Sequence, residues 1–207
     1  MKTWFHFDST VAPLRGKDNA IRVMGENGHQ VVLQIATFGE RGRWIQESGA
    51  ISHCYGLKEQ APVFAFSLER DDVPELITFL VAEPAGAGAK PVVREFEALG
   101  GRAFEINVGD KHDVLLLRQD WGTAEQRDLE TARFASDFDM AWLRFANERA
   151  RSPEEFVLIG GTTVGLDGRI LLKSARTVDY LIASAEGDRF RIETHEGDVS
   201  LCAGLME

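Results

Sequence analysis

The chain has 207 residues and a formal net charge of -10 at pH 7, and this length is sufficient for one sizeable hydrophobic core. Its acidic field would repel DNA, RNA, anionic membranes and polyanionic sugars. We therefore exclude nucleic-acid and membrane binding, and expect any acidic ligand to meet a local basic patch. The sequence shows neither a signal peptide at its amino terminus nor an apolar stretch of membrane-spanning length, which predicts a cytoplasmic location.

Apolar and polar residues alternate in short runs along the chain, which is typical of β-strands with one buried face. In chain order the apolar positions are Phe5 and Phe7 against Trp4, His6 and Asp8, then Val31, Leu33 and Ile35 with Gln34 on the opposite face, then Phe64, Phe66 and Leu68, then Phe104, Ile106 and Val108, then Phe190 and Ile192. Two dipeptides, Asn27-Gly28 and Asp167-Gly168, favour the positive φ angles of tight hairpins. Neighbouring strands are therefore predicted to be antiparallel.

Glycines divide these runs at a spacing expected of a sandwich or a large meander. The predicted breaks are Gly42, Gly100-Gly101, Gly160-Gly161, Gly187 and Gly197. The stretch from Ala124 to Ala150 contains helix-forming residues, but we predict a loop followed by two strands, around Phe134–Phe138 and Ala141–Phe145. The predicted fold class is all-β, an antiparallel β-sandwich or a supersandwich-like fold.

A loop of small residues and prolines at residues 84–91 divides the chain into two halves. We expect a single β domain over residues 1–207 and leave open a subdivision near 84–91. Phosphate binding by this glycine-rich loop is disfavoured, because Pro91 and the β-like pair Val92-Val93 follow it where a phosphate loop needs a helix.

The cysteines and histidines lack the spacing of a metal site. Cys54 and Cys202 lie far apart, so two reduced thiols are expected. No two histidines stand two or four residues apart, as two imidazoles that bind one metal would: His6, His29, His53, His112 and His195. The Gly-x-Ser-x-Gly motif of a nucleophile elbow is also missing from the sequence. We therefore predict no catalytic residue, no metal and no cofactor.

The segment Arg41-Gly42-Arg43-Trp44 suggests a ligand, because guanidinium groups suit carboxylates or sulfates and an indole face can stack on a sugar ring. The alternative is a hairpin turn with Trp44 in the core, and it is favoured because buried aromatic residues commonly serve packing. The candidate carbohydrate-binding residues are Arg41, Arg43, Trp44, His53 and Tyr55.

A series of short motifs gives the chain a family resemblance. Gly42-Arg43-Trp44 precedes Ser52-His53-Cys54-Tyr55-Gly56, and apolar strand segments follow at residues 61–66 and 73–81. This order resembles the late β region of heparinase II/III-like polysaccharide lyases, in which a Trp, a Ser-x-x-Tyr-Gly turn and an apolar strand pair follow one another in the same order. Three further segments fit that region, at residues 6–8, 156–161 and 168–172.

The resemblance implies a carboxyl-terminal antiparallel β-sandwich. In that family a helical toroid supplies the catalytic tyrosine, and a catalytic or metal-binding histidine precedes the region matched here. Neither Tyr55 nor Tyr180 therefore inherits a catalytic role. The implied partners are an acidic polysaccharide or a helical lyase domain on a separate chain, and the parent family is often exported.

The sequence is compatible with three functions, and it does not decide whether the chain is an enzyme. The favoured one is an accessory or remnant β-sandwich of a heparinase II/III-type polysaccharide lyase, which supports or binds acidic polysaccharide without catalysing β-elimination alone. The second is an active carbohydrate enzyme in which residues such as His53, Tyr55 and Asp139 converge in one pocket. The third is a structural or protein-interaction sandwich with an apolar exposed face or edge.

Overall fold

The computed structural model describes residues 2–16, 20–24, 31–38, 42–52, 54–68, 76–84, 91–119, 128–187, 189–194 and 200–201. These residues form seventeen β-strands and no helix. All the strand pairs among them are antiparallel. The prediction of an all-β, antiparallel, sandwich-like fold is confirmed. Within the same ranges, no helix has the length and apolar character needed to cross a membrane.

The chain divides into two compact units, Met1–Pro91 and Val92–Glu207. Their boundary falls at the end of the 84–91 segment, whose central residues 85–90 lie outside the described ranges. A single domain over the whole chain stays a prediction.

The first unit contains two sheets. The three-stranded sheet has the order β1-β6-β5 and the four-stranded sheet the order β2-β3-β4-β7. The strands are β1 Lys2–His6, β2 Leu14–Arg15, β3 Ala20–Met24, β4 Val31–Phe38, β5 Gly42–Ile51, β6 Glu59–Leu68 and β7 Ile77–Pro84.

Apolar residues from both sheets form one core in this unit. Trp44, Phe64 and Phe66 from the three-stranded sheet belong to the same buried cluster as Ile21 and Ile35 from the four-stranded sheet. The two apolar faces therefore pack as a sandwich.

The second unit is built on one ten-stranded sheet with the path β11-β12-β14-β13-β10-β9-β8; β15 pairs with β14, and β16 and β17 pair with β15. The strands are β8 Val92–Phe96, β9 Gly101–Val108, β10 Lys111–Arg118, β11 Leu129–Glu130, β12 Phe134–Ser136, β13 Met140–Phe145, β14 Glu155–Leu166, β15 Arg169–Glu186, β16 Arg189–Thr194 and β17 Ser200–Leu201. The sheet curls into a half-barrel. Leu116, Leu143 and Leu158, on three adjacent strands, are fully or almost fully buried in its core.

The hairpin predicted at Asp167-Gly168 is confirmed. Both residues have positive φ angles, 51° and 75°, and connect β14 to β15, as a two-residue turn of type I′ requires. Arg133 braces the turn, because its Nε and Nη2 atoms each donate a 3.1 Å hydrogen bond to the carboxylate of Asp167.

This bracing predicts a pH effect on stability. The hydrogen bond from Arg133 is the largest cause that lowers the pKa of Asp167 below its ordinary value of 3.8. A lowered pKa in the folded state stabilises the protein above pH 3.8, and this contribution disappears as the pH falls through the lowered value. Asp167→Asn keeps a residue that tolerates positive φ. We expect its small destabilisation, measured by urea unfolding, to be present at neutral pH and absent in strong acid; a loss of equal size in acid would contradict the assignment.

The structure bears on three further predictions about where strands begin and end. The two strands predicted between Ala124 and Ala150 are confirmed as β12 and β13. The loop predicted before them contains the short strand β11, and residues 124–127 are not described. Breaks are confirmed near Gly42, Gly101 and Gly187, which lie at strand starts or in a turn. Asn27-Gly28 and Gly197 lie outside the described residues.

The break predicted at Gly160-Gly161 is wrong, because β14 runs through both glycines. Gly160 has a φ of 68°, and the register with β15 shifts between Gly161 and Thr163. The pair therefore forms a β-bulge inside a continuous strand. A Cβ atom on Gly161 would lie 2.5 Å from Cα of Phe138, so this close approach requires glycine.

The sequence predicts that β4 buries one face, but the structure buries both. Ile35 is 2% exposed, but its neighbour Gln34, on the opposite face, is 1% exposed. Because successive strand residues point to opposite faces, both faces of β4 are covered at this point.

Candidate functional site

One face of the sheet β1-β6-β5 carries exposed polar and aromatic side chains. Trp44 and Phe66 point to the core from the other face, and directly paired residues of antiparallel strands share a face. The register therefore assigns the members of what we call the outer face. In three rows across the sheet, they are Lys2, Ser67 and Arg43; Trp4, Ala65 and Ile45; and His6, Val63 and Glu47.

Trp4 lies in the middle row and is 51% exposed. Its Nε1 atom donates a 3.1 Å hydrogen bond to Oε2 of Glu47. Trp4 is on β1 and Glu47 on β5, which flank β6 on opposite sides, so this bond draws the indole across the central strand. The residue there is Ala65, which is 0% exposed, and its small side chain leaves room for the indole against the sheet.

Glu47 bonds to two neighbours at once. Its Oε1 atom accepts a 2.7 Å hydrogen bond from Nζ of Lys2, while Oε2 accepts the bond from Trp4. The bond from Lys2 and then the bond from Trp4 are the largest causes that lower the pKa of Glu47. The ionised carboxylate therefore holds the edge of the indole at neutral pH, and charge-assisted bonds of this kind are stronger than neutral ones.

Arg43 adds a positive charge to the outer face. It is exposed, lies opposite Lys2 across Ser67, and is separated from Lys2 by two strand spacings, about 10 Å between Cα atoms. Among the residues that the structure describes, no carboxylate forms an ion pair with Arg43. The guanidinium group is therefore available to an acidic ligand.

The three candidate carbohydrate-binding residues that the structure describes, Arg43, Trp44 and Tyr55, do not lie together. Trp44 is 2% exposed and lies in the core, with its ring centroid 5.4 Å from that of Phe5 and 5.3 Å from that of Phe66. Its indole is therefore enclosed by packing. Arg41 and His53 lie outside the described residues.

Tyr55 is fully exposed in the turn that joins β5 to β6. Gly56 has a φ of 85°, and the backbone N–H of Leu57 donates a 3.2 Å bond to the carbonyl of Cys54. From Arg43 to the end of β5 at Ile51 the strand extends about 26 Å. Arg43 and Tyr55 therefore lie near opposite ends of the β5-β6 hairpin.

A second polar cluster lies in the second unit, where Arg118 is 5% exposed. Its Nη1 atom donates a 2.5 Å bond to the carbonyl of Asp137, and Nη2 donates to the carboxylate of Asp139. The carboxylate of Asp137 accepts bonds from the backbone N–H groups of Thr162 and Thr163, at 2.8 and 2.6 Å. These bonds tie the β12-β13 connection to the bulge in β14, so the arrangement is suited to holding the backbone.

The residues of the alternative enzyme site belong to different parts of the chain. Tyr55 belongs to the first compact unit and Asp139 to the second, where it pairs with Arg118. His53 is not described. Across the ranges that the structure describes, no group of three or more His, Cys, Asp or Glu side chains could hold a metal ion.

Two residues of the outer face, Trp4 and Glu47, were not among the sequence candidates. For Trp4 a signal exists, because the alternation that places Phe5 and Phe7 in the core places Trp4 outside. Glu47 has no local signal, since its bond to Trp4 joins residues 43 positions apart. The contact between Trp4 and Glu47 depends on the pairing of β1 and β5 with the same central strand, β6.

No protein-family model matches the chain, and no curated protein sequence does either. The side chains of the outer face are therefore the basis on which a function is assigned.

Proposed function

We propose that this chain is an accessory β region of the heparinase II/III type, which binds acidic polysaccharide on the outer face without catalysing β-elimination. The observation that carries the proposal is the exposed guanidinium of Arg43, which has no carboxylate partner among the described residues. A chain with a net charge of -10 can attract an acidic polymer only through such a local positive group. The planar fork of an arginine also fits a carboxylate or a sulfate through two parallel hydrogen bonds.

The outer face offers groups for binding, but they are not arranged as elimination requires. β-Elimination needs a base at the carbon next to the carboxylate, an acid at the leaving oxygen and a positive group at the carboxylate, all close together. Arg43 can supply the positive group. The carboxylate of Glu47 is already bonded to Lys2 and Trp4. His6, which could act as a base, lies two strands and four residues from Arg43, about 16 Å between Cα atoms. This separation supports a binding role.

The sequence motifs shared with the β region of these lyases support the same proposal, because that region accompanies a separate helical catalytic domain. The all-β architecture agrees with this expectation. The chain would then contribute a polysaccharide surface to a helical lyase domain on another chain.

A second candidate function is protein interaction, and a different observation favours it. At the tip of the β5-β6 hairpin, Tyr55 is fully exposed and Leu57 is 61% exposed. Large apolar side chains that project together from a turn are more typical of a contact with another protein than of a solvated loop. The two candidates differ in their ligand, and one experiment separates them.

The test is electrophoresis of the full chain through gels that contain polygalacturonate, alginate, heparan sulfate or neutral dextran. We expect retardation by the acidic polymers alone, and weaker retardation as salt is added. Arg43→Gln should weaken binding about tenfold, because one charge-assisted hydrogen-bonded contact is lost. No retardation by any acidic polymer would contradict the proposal and leave protein interaction as the better candidate.

The same samples report on catalysis. Elimination creates an unsaturated uronate that absorbs in the ultraviolet, so absorbance is followed during incubation of the chain with each polymer. We expect no increase. An increase that depends on the protein concentration would contradict the non-catalytic part of the proposal.

A further inference from the structure

We propose that Trp4 is the sugar-stacking residue of the outer face and that Glu47 is a positioning residue for it. The ligand class is a uronate oligosaccharide, in which one pyranose ring packs on the indole and a carboxylate pairs with Arg43. This inference rests on the proposed function and adds to it the residue that contacts the sugar ring and the part of the ligand that each residue recognises.

The exposure of Trp4 is the first step. A tryptophan carries a large apolar surface, and Trp4 leaves half of it in contact with water at 51% exposure. The three residues of the central strand on this face, Val63, Ala65 and Ser67, are small or compact, and Val63 and Ala65 are buried. The indole therefore lies over this central row, and its exposed half is accessible to a flat ligand.

The second step is the bond from Nε1 of Trp4 to Glu47. Because the indole N–H is already bonded at 3.1 Å, the exposed part of the ring has only its apolar π surface to offer. The C–H groups on one face of a pyranose ring carry partial positive charge and pack well on the negative face of an aromatic ring. A sugar ring therefore fits this surface better than a ligand that seeks a hydrogen bond from the indole.

The third step is preorganisation. Glu47 is held by Lys2 at 2.7 Å and in turn holds Trp4. An indole fixed before binding loses less side-chain entropy when the ligand arrives. Removal of the Glu47 carboxylate should therefore weaken binding although this residue need not touch the sugar.

The fourth step is the distance to the positive charge. Trp4 and Arg43 lie two strands apart and two residues apart along the strands, which places their Cα atoms about 12 Å from each other. The long side chain of Arg43 can close much of this gap. A carboxylate on the stacked sugar or on the adjacent sugar unit can then reach the guanidinium, so the two residues recognise different parts of one oligosaccharide.

The experiment compares two probes, a galacturonate oligosaccharide and the same oligosaccharide as its methyl ester, which keeps the rings and removes the charge. Binding to the full chain is measured by calorimetry. We expect Trp4→Ala to weaken binding of the acid at least tenfold and to abolish binding of the ester, while Trp4→Phe retains part of both. Arg43→Gln should weaken binding of the acid about tenfold and leave the ester unchanged.

Glu47 is tested by its two replacements. Glu47→Ala should weaken binding of the uncharged ester several-fold and shift the NMR signal of the Trp4 indole N–H, which is identified by its loss in Trp4→Phe. The ester is the probe for this variant, because loss of Glu47 also frees the charge of Lys2 to attract the acid. Glu47→Gln, which can still accept the indole hydrogen bond, should restore most of the ester binding. A residue that only stabilised the sheet would move the unfolding midpoint instead of this signal.

The outcomes separate the two proposals. If the unsubstituted chain binds the acid but Trp4→Ala binds it equally well, the stacking role is overturned and the proposed function stands. If the unsubstituted chain binds neither probe and no acidic polymer, both are overturned. If it binds a peptide or protein at this face and no sugar, the ligand class is overturned.

Discussion

Replacement of Trp44 by alanine is expected to destabilise the protein by about 4 kcal/mol, because a fully buried indole is lost and a cavity remains. Trp44 is 2% exposed and contacts the rings of Phe5 and Phe66 in the core of the first unit. The same substitution at Trp4, which is 51% exposed, is expected to cost less than about 1 kcal/mol, the scale of one exposed hydrogen bond. Native-state hydrogen exchange of the β5 and β6 amides measures both effects within the first unit.

Trp44→Phe provides a milder replacement that keeps an aromatic ring in the core. We expect it to recover more than half of the loss, because most of the packing surface is retained. The effects on polysaccharide binding should be opposite to the effects on stability. Trp4→Ala should bind poorly, and Trp44→Phe should bind almost as well as the unsubstituted chain. A Trp44→Ala protein with unchanged exchange rates in β5 and β6 would contradict the assignment of Trp44 to the core.

These two tryptophans also show how far the sequence predicts the site. Trp4 directly precedes Phe5 in a run where Phe5 and Phe7 alternate with Trp4 and His6, so its outward direction follows from period two. Around Trp44 the run Arg43-Trp44-Ile45-Gln46 places apolar residues on both faces. The pattern there does not decide which of the two faces is buried, and the indole was open to both interpretations.

The strands and their antiparallel arrangement were predictable because the responsible signals are local. Alternation marks β6 and β9, and Asp167-Gly168 marks the turn between β14 and β15 through the φ angles that this dipeptide tolerates. These properties involve residues within a few positions of each other. The order of strands in a sheet is not local in this sense.

The contact between Trp4 and Glu47 illustrates the part that local signals miss. It exists because β1 and β5 both pair with β6, in registers that place residues 4 and 47 diagonally across Ala65. Only long-range pairing produces this geometry. The same limit applies to Gly160-Gly161, where a glycine pair suggests a break but the register with β15 and the approach of Phe138 produce a bulge within a strand.

The cluster around that bulge leads to the second large effect. We expect Arg118→Met to destabilise the second unit by about 3 kcal/mol, because it removes the buried guanidinium bonds to the carboxylate of Asp139 and to the carbonyl of Asp137. The side chain of Arg118 is 3% exposed and that of Asp139 is 26% exposed, so water can compensate the carboxylate only in part. Urea unfolding followed by circular dichroism measures the change.

A surface arginine of the same unit provides the matched control. Arg191 forms an ion pair with Glu193 at 3.0 Å, but the two side chains are 62% and 60% exposed. Arg191→Met is therefore expected to cost less than about 0.5 kcal/mol, because exposed ion pairs are screened by water and salt. If Arg118→Met cost as little as this control, the cluster would have no structural role.

A double-mutant cycle then identifies the partner that matters. Once Arg118 is replaced, the further change Asp139→Ser removes a carboxylate that has already lost its bond from Arg118. The double variant should therefore be less destabilised than the sum of the single variants, by about 1 to 2 kcal/mol. Additive effects would instead indicate that the bond from Arg118 to the carbonyl of Asp137, 2.5 Å long, accounts for the stabilisation. In that case the arginine would act mainly by holding the backbone beside the Gly160-Gly161 bulge.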